Sequence, residues 1–154
     1  MGVFRVRVRV FPLLEPGRAR EIEMVVDTGA SYSVVPRPLA ESLGIVPSRT
    51  ITVTLADGTK TARKMGRAEV EYAGLGTPTW IIFGEPGDAS ILGAHALEGM
   101  GLEVDSRAQS PRPAEAYLLT FGTVPLRPLK ESATREIESP AALVQTSRSE
   151  FPPE

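Results

Sequence analysis

Phe4, Val6, Val8 and Val10 alternate with Arg5, Arg7 and Arg9, the period-2 pattern of a strand with one face in a core and the other in water. It predicts a first strand over 3–11, which Glu15-Pro16-Gly17 ends in a turn. A second strand, over 20–26, finishes on the apolar pair Val25-Val26. Ser33-Val34-Val35-Pro36 resumes an extended apolar run. Leu39 to Ile45 then reads as a short helix, with Leu39 and Leu43 on one face and Gly44 stopping it. Residues 50–55 and 59–65 flank Ala56-Asp57-Gly58, and Asp-Gly between two alternating runs predicts a hairpin. Strands are also predicted over 69–72 and 79–83, separated by the turn Ala73-Gly74-Leu75-Gly76. Trp80, on the more apolar of the two, is expected in the core or at an interface. Ile91-Leu92 is a short buried strand ending at Gly93. Ala94 to Met100 then reads as a helix with Ala96, Leu97 and Met100 inward and Gly101 as its cap.

Two last strands, over 102–104 and 117–121, are expected to pair across an irregular loop containing Ser110-Pro111-Arg112-Pro113. Beyond residue 122 the composition shifts to Pro125, Pro128, Pro140, Pro152 and Pro153 with few large apolar side chains. That stretch is expected to be disordered. The chain is therefore divided into a domain over 1–122 and a tail over 123–154.

One stretch of this β-rich pattern carries chemistry. In Val25-Val26-Asp27-Thr28-Gly29-Ala30-Ser31 a single carboxylate follows a buried run and precedes a turn of small residues. Thr28 offers a hydroxyl for local hydrogen bonds, Gly29 allows close backbone approach, and Ala30 leaves room beside the carboxylate. Two carboxylates that share a proton can divide the roles of base and acid, because each shifts the pKa of the other. Here the motif occurs once, and no Asp-Ser-Gly copy or internal duplication accompanies it. A second carboxylate is accordingly expected from a second copy of the chain. The competing reading of Asp-Thr-Gly alone is an ordinary β-turn.

Composition narrows the field. The chain has 154 residues, enough for one core but not for two similar lobes. Hydrophobic residues make up 42% and charged residues 23%, as in a globular domain. There is no Cys and only His95, so disulfides, thiolate sites and imidazole clusters are excluded. No apolar run approaches the ~20 residues of a membrane span. The arginine-rich start does not resemble a secretory signal, and a cytoplasmic location is expected. The net charge of −2 argues against a polyanionic partner. Arg5, Arg7 and Arg9 supply too little phosphate neutralisation for a nucleic-acid surface and are read as a solvated strand face, one that would also protect a sheet edge from aggregation.

Taken in order, Val25 to Ser31, Leu43-Gly44-Ile45, Leu55-Ala56-Asp57-Gly58, the segment from Phe83 to Asp88, Ile91-Leu92-Gly93 and the segment from Leu97 to Asp105 resemble the retropepsin-like aspartic proteases, and among them the small single-domain branch of bacteria and archaea. The resemblance spans about residues 3–122. It implies an all-β fold, a closed barrel-like protomer with one or two short helices, assembling as a dimer. It also implies an endopeptidase in which Asp27 from each subunit activates a water, with no metal and no cofactor. Thr28, Gly29, Ala30 and Ser31 would form the active-site loop, with Thr28 cross-linking the two copies. Ala56, Asp57 and Gly58 would sit at the tip of a lid, or flap, over peptide substrate. Ile91, Leu92 and Gly93 would support the site from beneath. No aromatic residue lies near Ala56-Asp57-Gly58, where many such proteases place one, and a peptide-binding dimer that does not cut is the alternative. The partners expected are a second copy and a peptide, with no nucleic acid and no membrane. His95 is expected to be a surface or capping residue.

Overall fold

Alternation at the start of the chain becomes β1, Arg5–Phe11, whose valines turn inward while Arg5 and Arg7 stay exposed. The structure, a computed structural model, describes residues 3–116. β1 pairs antiparallel with β2, Arg20–Val26, after a short 3-10 turn at Pro16–Arg18. In that register Arg7 faces Glu23 and Arg9 faces Glu21. Arg9 also forms an ion pair at 2.7 Å with Glu71 of a distant strand. Opposite charges across neighbouring strands favour the pairing and offset part of the arginine face.

The chain continues through β3, Ser33–Pro36, α1, Arg37–Ser42, and the hairpin strands β4, Arg49–Thr54, and β5, Lys60–Tyr72. It then forms β6, Leu75–Gly84, β7, Ile91–Leu92, and α2, Ala94–Gly99. Both short helices fall where periodicity predicts them. Gly44 and Gly101, just past their ends, take positive φ of 73° and 70°, the left-handed conformation that terminates a helix. The strands expected over 59–65 and 69–72 are one continuous β5. Its turn into β6 is tighter than predicted, with Ala73 and Gly74 both at positive φ.

The sheet order is β1-β2-β7-β3-β6-β5-β4, and a further pairing of Arg9, Val10 and Phe11 with Glu71, Val70 and Glu69 joins β1 to β5. That contact closes the sheet into a ring from which only β4 is left out. The C-terminal half of β1 is therefore an interior strand of the ring, not the sheet edge considered from sequence. Val8, Val10, Met24, Val35, Val70, Ile81, Phe83 and Leu92 fill the interior, each at most 1% exposed. Burying side chains of this size stabilises by roughly 1.5–3 kcal/mol apiece.

A separate two-stranded ribbon pairs β8, Leu102–Asp105, with β9, Ser110–Pro113. The segment expected to be irregular is thus the partner of β8. Asp105 makes this possible by accepting the N–H groups of Arg107 and Ala108 at 2.9 and 3.0 Å, which turns the chain back early. Pro111 and Pro113 stand two apart, so their missing N–H groups fall on the same edge, away from the ladder. The strand expected over 117–121 and the tail from 123 lie outside the described residues.

Trp80 lies neither in the core nor in the main cleft. It is half-buried on the outer face of the sheet, directly opposite Arg67, with the guanidiniums of Arg49 and Arg67 at 4.2 and 4.8 Å from its ring centre. These two arginines cover much of the apolar ring while keeping their charges in water.

Candidate active site

Asp27 is delivered by the last residues of β2 and held by backbone bonds on both sides. Val25 N–H donates to Ser90 O at 2.9 Å, Asp27 N–H to Leu92 O at 3.1 Å, and Val26 N–H to Phe4 O at 3.0 Å. The following residues turn tightly. Ala30 N–H returns to Asp27 O, and Gly29 N–H donates to the Asp27 carboxylate Oδ1 at 2.9 Å. A Cβ on residue 29 would lie 3.1 Å from that same oxygen, so any side chain would crowd the carboxylate.

β7 explains why this loop is rigid. Ile91 pairs parallel with Val25 and antiparallel with Val34, so the short strand is wedged between the two arms of the loop. Gly93 then passes directly beneath the loop. A Cβ there would sit 2.6 Å from Tyr32 C, 2.7 Å from Tyr32 O and 2.9 Å from Ala30 O, closer than real atoms approach, so only glycine fits. Its N–H donates to the hydroxyl of Ser33, which is fully buried, at 3.1 Å. Ala94 N–H donates to Ala30 O at 2.8 Å and His95 N–H to Ser31 O at 3.1 Å. The first turn of α2 thereby satisfies the carbonyls of the Asp27 loop.

Above the loop stands the β4–β5 hairpin. Leu55 N–H donates to Thr59 O at 2.8 Å and Gly58 N–H to Leu55 O at 2.9 Å, with Gly58 at φ +85°. This is a type I turn completed by a residue in the left-handed region, the geometry that Asp-Gly favours. Asp57 accepts Thr59 N–H at 2.8 Å, and hydrogen bonds from Thr59 hold its carboxyl below the usual carboxylate range.

Between loop and hairpin lies a cleft of about 820 Å³. Of the residues singled out from sequence, Asp27, Gly29, Ala30, Ser31, Ala56, Asp57 and Ile91 line it. Thr28 is exposed outside it, Gly58 stands at the hairpin tip beyond its lining, and Leu92 and Gly93 are buried beneath the loop. The rest of its wall is largely apolar, from Val34, Ile51, Val53, Leu55 and Ile82. Among the described residues no group of His, Asp and Glu is arranged to hold a metal ion.

Three polar residues of the cleft escaped sequence reading. Tyr32 lines it and stacks on His95, ring centres 5.1 Å apart at 26°, so the exposed histidine backs a cleft wall. Arg63 and Asp88 also line it and pair directly with each other. Arg63 Nε donates to Asp88 Oδ2 at 2.8 Å and Nη2 to Oδ1 at 3.1 Å, and Glu85 N–H donates to the same Oδ2 at 2.8 Å. The guanidinium bonds hold Asp88 below the usual carboxylate range against the opposing effect of burial, and hold Arg63 above its own. A pairing set by tertiary approach leaves no periodic mark in sequence. The one available sign is a lone aspartate after Pro86-Gly87, in a loop where its carboxylate can accept a local N–H.

Residues 18–99 match the family described as gag-polyprotein putative aspartyl protease, more than half of the chain, and the chain belongs to that family. The protease of EIAV, solved in complex with the inhibitor HBY-793, is 16% identical and superimposes with a TM-score of 0.50 over 76% of this chain and 94% of that one. The protease of simian foamy virus (mac), solved in solution, is 14% identical over 62% of this chain and 92% of that one, with a TM-score of 0.44. The fold is that of the retropepsin-like proteases. No curated protein matches the sequence. No helix among the described residues is long and apolar enough to cross a membrane.

Proposed function

We propose that the chain is an aspartic endopeptidase that works as a symmetric homodimer, with Asp27 as its catalytic carboxylate. One observation carries this reading: the other carboxylates lining the cleft are committed. Asp57 is used in the hairpin turn and Asp88 is gripped by Arg63. Among the described residues lining the cleft, Asp27 therefore has no second carboxylate at liberty to share a proton, and the acid–base chemistry of the motif requires one. A second copy supplies it by symmetry. Thr28, exposed and outside the cleft, suits a contact between the two loops.

In this reading a water lies between the two Asp27 carboxyls. The ionised one takes a proton from the water as it attacks the scissile carbonyl. The protonated one polarises the carbonyl oxygen and later yields its proton to the leaving nitrogen. Gly29, Ala30 and Ser31 line the path of the peptide, and the tip of Ala56, Asp57 and Gly58 closes over it as a lid. The apolar wall from Val34 to Ile91 accommodates hydrophobic side chains.

A hairpin without any aromatic residue from Arg49 to Lys64 favours a second reading, a dimer that binds peptides without cutting them. Digestion of a peptide library at acidic and neutral pH, with and without pepstatin, separates the two. Pepstatin-sensitive cleavage lost in Asp27→Asn supports the protease, and binding of the same peptides without cleavage supports the binder. A chain that stays monomeric at every concentration, with and without peptide, would sink both.

A further inference from the structure

β5 is tied to the barrel through β6 only from Met65, which pairs with Ile82, onward. Among the described residues, 60–64 pair with β4 alone, and β4 pairs with nothing else. Outward from this last rung the hairpin is a two-stranded ribbon, a structure that is marginal by itself in water. Its tip at Asp57-Gly58 lies some 5–6 residues beyond Arg63, roughly 20 Å at the rise of a strand. A rotation of about 10° at the base then moves the tip by roughly 3–4 Å.

Arg63 stands two residues beyond that rung, where the ribbon leaves the barrel. Its side chain is 12% exposed and that of Asp88 21%, so the pair is shielded from much of the solvent that weakens surface ion pairs. Both ends are also held locally, Asp88 by Glu85 N–H and Arg63 Nη1 by donating to Thr61 Oγ1 at 3.2 Å and Ala62 O at 3.1 Å. Among the described residues this is the one side-chain ion pair that joins the ribbon to the 85–90 loop.

We propose that the Arg63–Asp88 fork is a positioning latch that pins the base of the β4–β5 hairpin to the 85–90 loop, so that the tip moves about a fixed pivot. Neither residue touches the reacting atoms; both act through where they hold the lid. The proposal rests on reading the hairpin as a lid over the cleft, and its first readout is chosen so that it does not depend on cleavage.

That readout is backbone amide exchange in the full chain. Asp88→Asn, which keeps size but loses the charge, is expected to raise exchange at Val53, Leu55 and Gly58 by about tenfold while Val70, Ile81 and Leu92 keep their protection. Arg63→Lys, which retains charge but loses the second prong, gives a smaller increase of the same pattern. The exchanged pair, Arg63→Asp with Asp88→Arg, restores protection. On a cleaved peptide the same variants raise KM several-fold and change kcat less. Unchanged hairpin exchange in Asp88→Asn would overturn the latch. So would equal loss of protection in hairpin and barrel, which would make the pair an ordinary stabilising contact. If the native chain cleaves nothing, the protease reading fails while the exchange result still decides the latch.

Discussion

The two walls of the cleft are built in opposite ways. The Asp27 loop is locked by backbone, with a strand wedged between its arms, a glycine packed beneath it and a buried hydroxyl answering that glycine's N–H. The hairpin opposite is a ribbon held to itself, with a side-chain pair at its base. In the proposed reading, chemistry that demands a carboxylate fixed within a fraction of an ångström would sit on the first wall, and motion that admits and releases a chain would sit on the second. In that reading rigidity and mobility fall to different kinds of bond, main-chain ladders on one side and exchangeable side-chain contacts on the other.

Substitutions that attack each wall should produce effects of different kind and size. The largest is chemical: Asp27→Asn is expected to lower peptide cleavage by at least about 1,000-fold with the thermal transition almost unmoved, because the residue is exposed and its backbone bonds survive. Activity retained by this variant would remove Asp27 from the mechanism. Next comes Gly93→Ala, which drives a methyl into the Tyr32 and Ala30 backbone and should cost about 3 kcal/mol in denaturant unfolding. A near-neutral result would show that the loop can shift and is no more rigid than the hairpin. Gly58→Ala meets no atom within 4 Å but forces a side chain into the left-handed region. It should cost about 1 kcal/mol or less globally, with its main effect on KM.

The smallest effect is on acid sensitivity. Asp88 has a folded pKa below its unfolded one, so it binds fewer protons when folded than when unfolded. Its contribution to stability is complete above the ordinary carboxylate range, about pH 4, and is lost as the pH falls through the lower folded value. Hairpin amides should therefore keep their protection from pH 7 down to about 5 and lose it only in stronger acid. Asp88→Asn should flatten that dependence.

Much of this architecture was legible in the order of residues. Alternation marked β1, Asp-Gly marked the hairpin turn, and 3.6-residue spacing ending at Gly44 and Gly101 marked both helices, because each is a local preference. The motif at Asp27 was legible as chemistry, and the segment Ile91-Leu92-Gly93 as a neighbour of it. What escaped was decided by contacts between distant residues. Nothing local announces that Arg9 reaches Glu71, that Arg63 grips Asp88 or that Tyr32 stacks on His95. β9 was missed for another reason: two prolines read as an irregular loop when their spacing in fact keeps both off the ladder.

The wedge formed by Ile91 and Leu92 also sets a timetable for the newborn polypeptide. As it leaves the ribosome in order, β1 and β2 can meet early, yet the arms on either side of Asp27 have nothing between them until residue 92 has emerged. The most exacting geometry in the molecule is consequently the part that synthesis completes late, and a chain cut short before that strand would carry the motif without its shape.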